Sequence, residues 1–331
     1  DEIRPRAKVE AVATRLISSA PLDYVVTFRQ YFGAFSSAVM LTHTDSGLAP
    51  GICTYSDWDV LATWLSSKGK SVFDGDFKQF DASEQPCVHD LVLEFINAWY
   101  DDGEENARVR RVLWMELTHS RHIGGTGFDQ SHIYQWSKSL PSGHPFTTII
   151  NSIYSLFMLV SAYIHCTGDL TNFWDYVYAV VYGDDNVVNV DDKLATVFNQ
   201  ASVAKAIKVL FEVTYTSSDK SGELGSVKTL PEVGFLKRGF LLEEDRWLCP
   251  LDPESFLFTS YWCKNQKKKE EIIEDVLEMA LEELSLHPKE EWDNTAWKIF
   301  EAMSERGLVP RCPPDRGSYQ ILVTSRKDNW Y

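Results

Sequence analysis

Two runs rich in Val and Tyr, Tyr176–Tyr182 and Asn186–Val190, flank Gly183-Asp184-Asp185, and no other stretch restricts the fold as much. Val and Tyr suit the pleated strand, and Gly-Asp is strong turn chemistry, so the segment predicts an antiparallel hairpin with two carboxylates at its tip. Adjacent carboxylates in a tight turn repel one another. Proteins accept that where a divalent cation offsets the charge. Taken alone, Gly-Asp-Asp is more often a solvated turn, since Asp is common there.

A second acidic segment raises the chemical content. Val72–Asp76 reads as a short strand ending in a carboxylate, and Asp81 follows five residues later at a turn that enters a helix. Asp76 at a strand end can face the hairpin tip and supply the other side of a metal pair. Mg²⁺ takes hard oxygen ligands, usually one or two carboxylates with substrate phosphates. Asp74 shares a strand face with Asp76 by two-residue alternation and reads as a supporting or exposed acid rather than a ligand. A third segment, Ser142-Gly143-His144-Pro145-Phe146-Thr147, is a turn with Pro145 placed to open a helix over about 146–166. Thr147 and Asn151 lie four apart and share a face of it.

Around these segments, Cys87–Tyr100 has helical apolar spacing, Asp101–Asn106 reads as a loop, and Lys193–Phe211 as a helix. Val227–Leu242 reads as short strands. Lys267–Leu284 is amphipathic and Trp292–Met303 looks like a further helix, so a mostly helical unit is expected after Leu242. The first 35 residues mix basic positions with short apolar groups. The longest apolar stretch, Ile149–Cys166, is interrupted by Asn151, Ser152, Ser155 and Ser161, which favours a buried core helix over a membrane span.

The net charge of −16 argues against promiscuous duplex binding, but it says nothing of what one cleft holds. Residues 264–293 carry five Lys and ten Asp/Glu, whereas Arg4, Arg6, Lys8 and Arg15 face only Glu10 between residues 4 and 15. The six cysteines show no CxxC and no zinc spacing, and scattered thiols fit a reducing cytosol. The chain opens on Asp1 in mid-pattern, as expected of a fragment or processed product.

In order, Asp76-x4-Asp81, Ser142-Gly143-x3-Thr147-x3-Asn151 and Tyr182-Gly183-Asp184-Asp185 resemble motifs A, B and C of viral RNA-dependent RNA polymerases. Asp219-Lys220-Ser221 is similar to their motif D, Phe235-Leu236-Lys237-Arg238 to motif E, and Asp1-Glu2-Ile3-Arg4 with Lys8 and Thr14-Arg15 to motif F. The variants look most like dicistrovirus, iflavirus or marnavirus polymerases among picornavirus-like positive-strand RNA viruses. Motif F normally has a basic residue just before the Asp-Glu pair, where this chain starts, so the amino-terminal fingers are expected to be absent.

The resemblance implies an α+β right-hand polymerase, with an antiparallel-sheet palm backed by helices, partial fingers and a helical thumb. Fingers would cover 1–70, palm 71–242 and thumb 243–331. It implies RNA-templated RNA synthesis in viral genome replication, with an RNA template and product strand, nucleoside triphosphates and a viral protein primer as partners. The setting would be the host cytoplasm, at membrane-associated replication complexes. Asp76 and Asp184, supported by Asp185, would hold two Mg²⁺ or Mn²⁺ ions. Asp81 and Asn151, helped by Thr147, Ser142 and Gly143, would recognise the ribose. Arg4, Lys8 and Arg15 would hold the triphosphate, Lys220 would protonate the leaving pyrophosphate, and Lys237 and Arg238 would sit near the primer strand. His122, His132 and His144 have no assigned role. Two rivals stand beside this reading. A reverse transcriptase commonly has a bulky residue at the Asp81 position, and a catalytically silent RNA-binding scaffold does not require the repelling carboxylates.

Overall fold

A computed structural model describes residues 6–11, 17–125, 130–136, 138–218, 228–261 and 269–325. Its centre is a four-stranded antiparallel sheet in the order Val177–Tyr182, Asp185–Val190, Ser71–Phe77, Tyr215–Thr216. The Val-rich runs form the predicted hairpin, and Tyr182 pairs with Asp185 across a two-residue turn.

Strand alternation divides the side chains between two cores. Phe73, Phe77, Ala179, Val181, Val188 and Val190 face one core, and Val72, Tyr178, Val180 and Val187 face the other. Helices Thr147–Thr167 and Gln200–Phe211 back the first face, with Leu22–Leu41, Pro86–Tyr100 and Glu104–Thr118 completing that core. Against the second face pack Trp58 and Leu61 of helix Trp58–Trp64, with Phe235, Phe240 and Leu248. A third core is helical and joins Phe256, Leu281, Leu284, Trp292, Ile299 and Tyr319.

Thr147–Thr167 is long and apolar enough to cross a membrane, yet Ile149, Ile150, Tyr154, Met158, Leu159, Ala162 and Tyr163 are buried in the first core. It ends as chemistry dictates, on Gly168 in the left-handed region at φ 72°, whose N–H donates to the Ile164 carbonyl.

Several boundaries differ from expectation. The helix expected from Lys193 begins only at Gln200, because Asn199 and Ser202 form a reciprocal capping box. Glu104–Thr118 starts inside the expected 101–106 loop. Leu22–Leu41 is one 20-residue helix where only short apolar groups were read. Leu242, the expected end of the sheet domain, falls inside the Leu241–Glu243/Arg246–Leu248 hairpin, and Leu248 and Cys249 still pack on the second core. Among the described residues, the third core begins only beyond that hairpin.

Candidate active site

The acidic segments meet at one end of the sheet. The central strand pairs Asp74 with Val187 and Gly75 with Asn186, so the next step in register sets Asp76 beside Asp185. On its other side Asp76 pairs with Thr216, whose hydroxyl donates to the Asp76 carbonyl at 3.3 Å. Gly183 turns the hairpin at φ 65°, a region that favours glycine. Its N–H donates to Ser152 Oγ at 2.8 Å, fixing the tip to helix Thr147–Thr167. Asp184 is exposed at the tip and Asp76 is half-buried.

Two buried groups shape this end from beneath. Asn186 Nδ2 donates to the Gly75 and Asp184 carbonyls, each at 3.1 Å, and Asn186 Oδ1 accepts from Tyr215 Oη at 2.7 Å. A Cβ on Gly75 would lie 1.9 Å from that hydroxyl, so only glycine fits under the ring. Asp74 is buried, as a supporting acid should be. It accepts from Lys228 Nζ at 3.1 Å and the Gly234 amide at 3.2 Å, and also from Ser218 Oγ.

Asp185 Oδ2 accepts from the Leu236 amide at 2.6 Å. Burial, with Asp184, Asp76 and Asp74 nearby, pushes the Asp185 pKa up to about 7, although the Leu236 N–H acts to lower it. A cluster that drives one carboxylate toward its neutral form is one that a divalent cation would relieve. Among the described residues no three His, Cys, Asp or Glu side chains converge as a preformed cage. Asp76 and Asp184 offer the hard carboxylate oxygens that Mg²⁺ takes alongside substrate oxygens, while one oxygen of Asp185 is engaged by the Leu236 amide.

Beside the tip opens a cleft of about 810 Å³, lined among others by Asp81, Ser142, Thr147, Asn151, Gly183 and Asp184. Asn151 Nδ2 donates to Asp81 Oδ1 at 2.7 Å, joining the two residues expected at the ribose. Thr147 Oγ1 donates to the Pro141 carbonyl at 2.9 Å. Gly143, at φ 111°, packs against residues 17–18, and a Cβ there would come within 2.9 Å of the Ser18 carbonyl oxygen. His144 is buried against Phe28, and its Nδ1 accepts from the Phe146 N–H. Burial pulls its pKa down to about 4, which suits a structural residue. Trp136 and Lys138 also line the cleft and were not anticipated.

The expected basic residues fare differently. Arg4, Arg15 and Lys220 lie outside the described residues, and Lys8 lies on helix Arg6–Glu10. Lys237 is exposed at the apex of the 235–238 turn. Arg238 departs from its expected place near the primer strand. It is buried and donates to both carboxylate oxygens of Glu283, each at 2.8 Å, and to the Cys249 carbonyl at 2.9 Å. Its donors are committed to an internal ion pair between the turn and helix Lys269–Ser285, so it is withdrawn from strand contact.

Comparison with known proteins adds to this geometry. The profile described as viral RNA-dependent RNA polymerase matches residues 1–304. The chain is 32% identical to a replicase polyprotein of acute bee paralysis virus, over all of this chain and 18% of that protein. It is 31% identical to the replicase polyprotein of cricket paralysis virus, over 95% of this chain and 18% of that one. It is also 32% identical to the genome polyprotein of rice tungro spherical virus, over 94% of this chain and 9% of the relative. The chain thus spans less than a fifth of these relatives. Among solved structures, a sicinivirus 3Dpol RNA-dependent RNA polymerase superposes with a TM-score of 0.80 at 20% identity, covering 98% of this chain and 66% of the other.

Proposed function

The chain belongs to the viral RNA-dependent RNA polymerase family and has the right-hand polymerase fold, and from that premise we propose that it catalyses RNA-templated transfer of nucleotides to an RNA 3′-hydroxyl. The observation that carries this reading is the Asn151–Asp81 hydrogen bond in the cleft that also exposes Asp184. A polar pair built to meet a sugar stands beside carboxylates suited to a metal.

The roles are those that the family's motifs imply for the matching residues. Asp76 and Asp184 are the principal ligands of two Mg²⁺ or Mn²⁺ ions, with Asp185 supporting. Held there, the ions would supply the positive charge that favours the attacking hydroxyl's deprotonation and offsets charge on the leaving oxygen. Asp81 accepts from a ribose hydroxyl, and Asn151 can donate and accept. Thr147, Ser142 and Gly143 shape the turn beside them. Arg4, Lys8 and Arg15 hold the triphosphate by charge-assisted contacts, and Lys220 protonates the departing pyrophosphate. Lys237 contacts the primer strand. The palm runs from residue 71 through the Leu241–Leu248 hairpin, and the thumb follows. RNA template, product strand and a protein primer are the partners, and replication takes place in the host cytoplasm at membranes.

Sugar choice tests the reading against a reverse transcriptase. A deoxynucleotide brings no 2′-hydroxyl to Asn151 Oδ1, the buried oxygen of the pair without a partner, and an unmatched buried group costs about 1–3 kcal/mol. Asp81→Ala or Asn151→Ala should reduce ribonucleotide use and narrow the ratio of kcat/KM for ATP over dATP on one template. An unchanged ratio in both variants removes the pair from sugar recognition. A wild-type preference for dATP overturns the RNA polymerase reading. Retained RNA binding without any incorporation favours the silent scaffold.

A further inference from the structure

We infer that Arg238 and Glu283 are positioning residues for the acidic hairpin, acting through the 235–238 turn. This rests on the polymerase reading above. The turn is closed by two mutual backbone bonds, Phe235 N–H to the Arg238 carbonyl and Arg238 N–H to the Phe235 carbonyl, each 2.9 Å. Its central residues are Leu236 at φ 53° and Lys237 at φ 60°, a left-handed conformation that costs any residue with a Cβ. Such a turn persists when its surroundings hold it.

Those surroundings reach both the acids and the helical core. On one side the Leu236 amide donates to Asp185 Oδ2. On the other, two residues along, the Arg238 guanidinium grips Glu283 through both carboxylate oxygens, and the Tyr55 hydroxyl donates to Glu283 Oε1 at 2.6 Å. The Arg238 guanidinium also lies 5.1 Å from the Tyr55 ring centroid. Arg238 and Glu283 are both buried, so neither can exchange its partner for water without breaking the contact. The turn carbonyl of Lys237 accepts from Asp252 N–H, which adds a second tie to the segment leading into the helical core. A displacement of helix Lys269–Ser285 relative to the sheet is therefore transmitted over four residues to the carboxylate beside Asp184.

The test uses the full-length polymerase with RNA primer–template and a non-hydrolysable nucleotide analogue. Mn²⁺ binding is titrated by electron paramagnetic resonance, alongside thermal unfolding and single-nucleotide kinetics. Glu283→Gln should weaken Mn²⁺ binding by about 10-fold, the low end for groups that orient a metal ligand. It should lower kcat while KM for the nucleotide stays within about 2-fold, the pattern of an interaction that matters in the transition state. Tyr55→Phe, which keeps the ion pair, should shift Mn²⁺ binding the same way by about 2–3-fold, the scale of one hydrogen bond. If Glu283→Gln does not fold, Tyr55→Phe decides alone. Unaltered Mn²⁺ affinity in a folded variant whose melting temperature falls overturns the coupling and leaves a purely structural ion pair. A wild-type enzyme with no templated incorporation overturns the polymerase reading instead.

Discussion

Two two-residue turns meet at Asp185, and they are built on opposite plans. The Gly183-Asp184 turn uses glycine at φ 65° and has no heavy atom within 4 Å of where a Cβ would stand, so it is relaxed and open. The Leu236-Lys237 turn places two residues with side chains in the same left-handed region and is held by a buried ion pair. The turn that presents the acid carries no strain, whereas the turn that supports it does. Strain at a functional site is commonly carried by the surroundings that over-determine it. Here that burden lies on the supporting turn.

The contrast is open to direct attack. Arg238→Leu should have the largest effect, since it leaves Glu283 charged and buried without its partner. Unfolding in urea should show a loss of about 3–5 kcal/mol. A loss below about 1 kcal/mol, the scale of an exposed pair, would mean that the turn does not depend on the ion pair. Asp184→Asn should lower templated incorporation by about 10²–10³-fold, the scale for removing one electrostatic stabiliser. Its melting temperature should hold or rise, because one repelling carboxylate is gone. Near-normal turnover would remove Asp184 from the metal site. Gly183→Ala should cost about 1–2 kcal/mol of stability through backbone conformation alone, the space for the methyl being open. Lys237→Gly should do the reverse and stabilise by about 0.5 kcal/mol, relief of strain being partly cancelled by glycine's flexibility when unfolded. If the last two variants shift stability in the same direction, the contrast between the turns fails.

The sequence exposed one half of this arrangement far better than the other. The hairpin was legible because Val-rich alternation and Gly-Asp chemistry are local signals, and the structure places its strands within a residue of expectation at either end. The Asp81–Asn151 pair was approached through motif order, 70 residues apart, and the structure joins them. The supports were illegible for a physical reason, because each is defined by a distant partner. Ser152 was read only as a polar interruption, and its use appears when Gly183, 31 residues on, docks against it. Asn186 looked like one more strand residue, though it bonds across 111 residues to Gly75. Arg238 was assigned to an RNA strand because a cation in a polymerase-like motif suggests phosphate. Glu283, 45 residues later in an acidic helix, gave no local sign of being its partner. The one usable clue was Gly75 itself, a glycine inside a strand, which marks a close approach.

That close approach bears on heredity. Every single-base change that replaces glycine with another amino acid adds a Cβ, and at position 75 any Cβ meets the Tyr215 ring. Tyr215 cannot move alone, because its hydroxyl holds Asn186, which in turn holds the carbonyls of Gly75 and Asp184. A side chain at position 75 therefore has room only where the Tyr215 ring is lost or displaced, and either change takes the hydroxyl from Asn186.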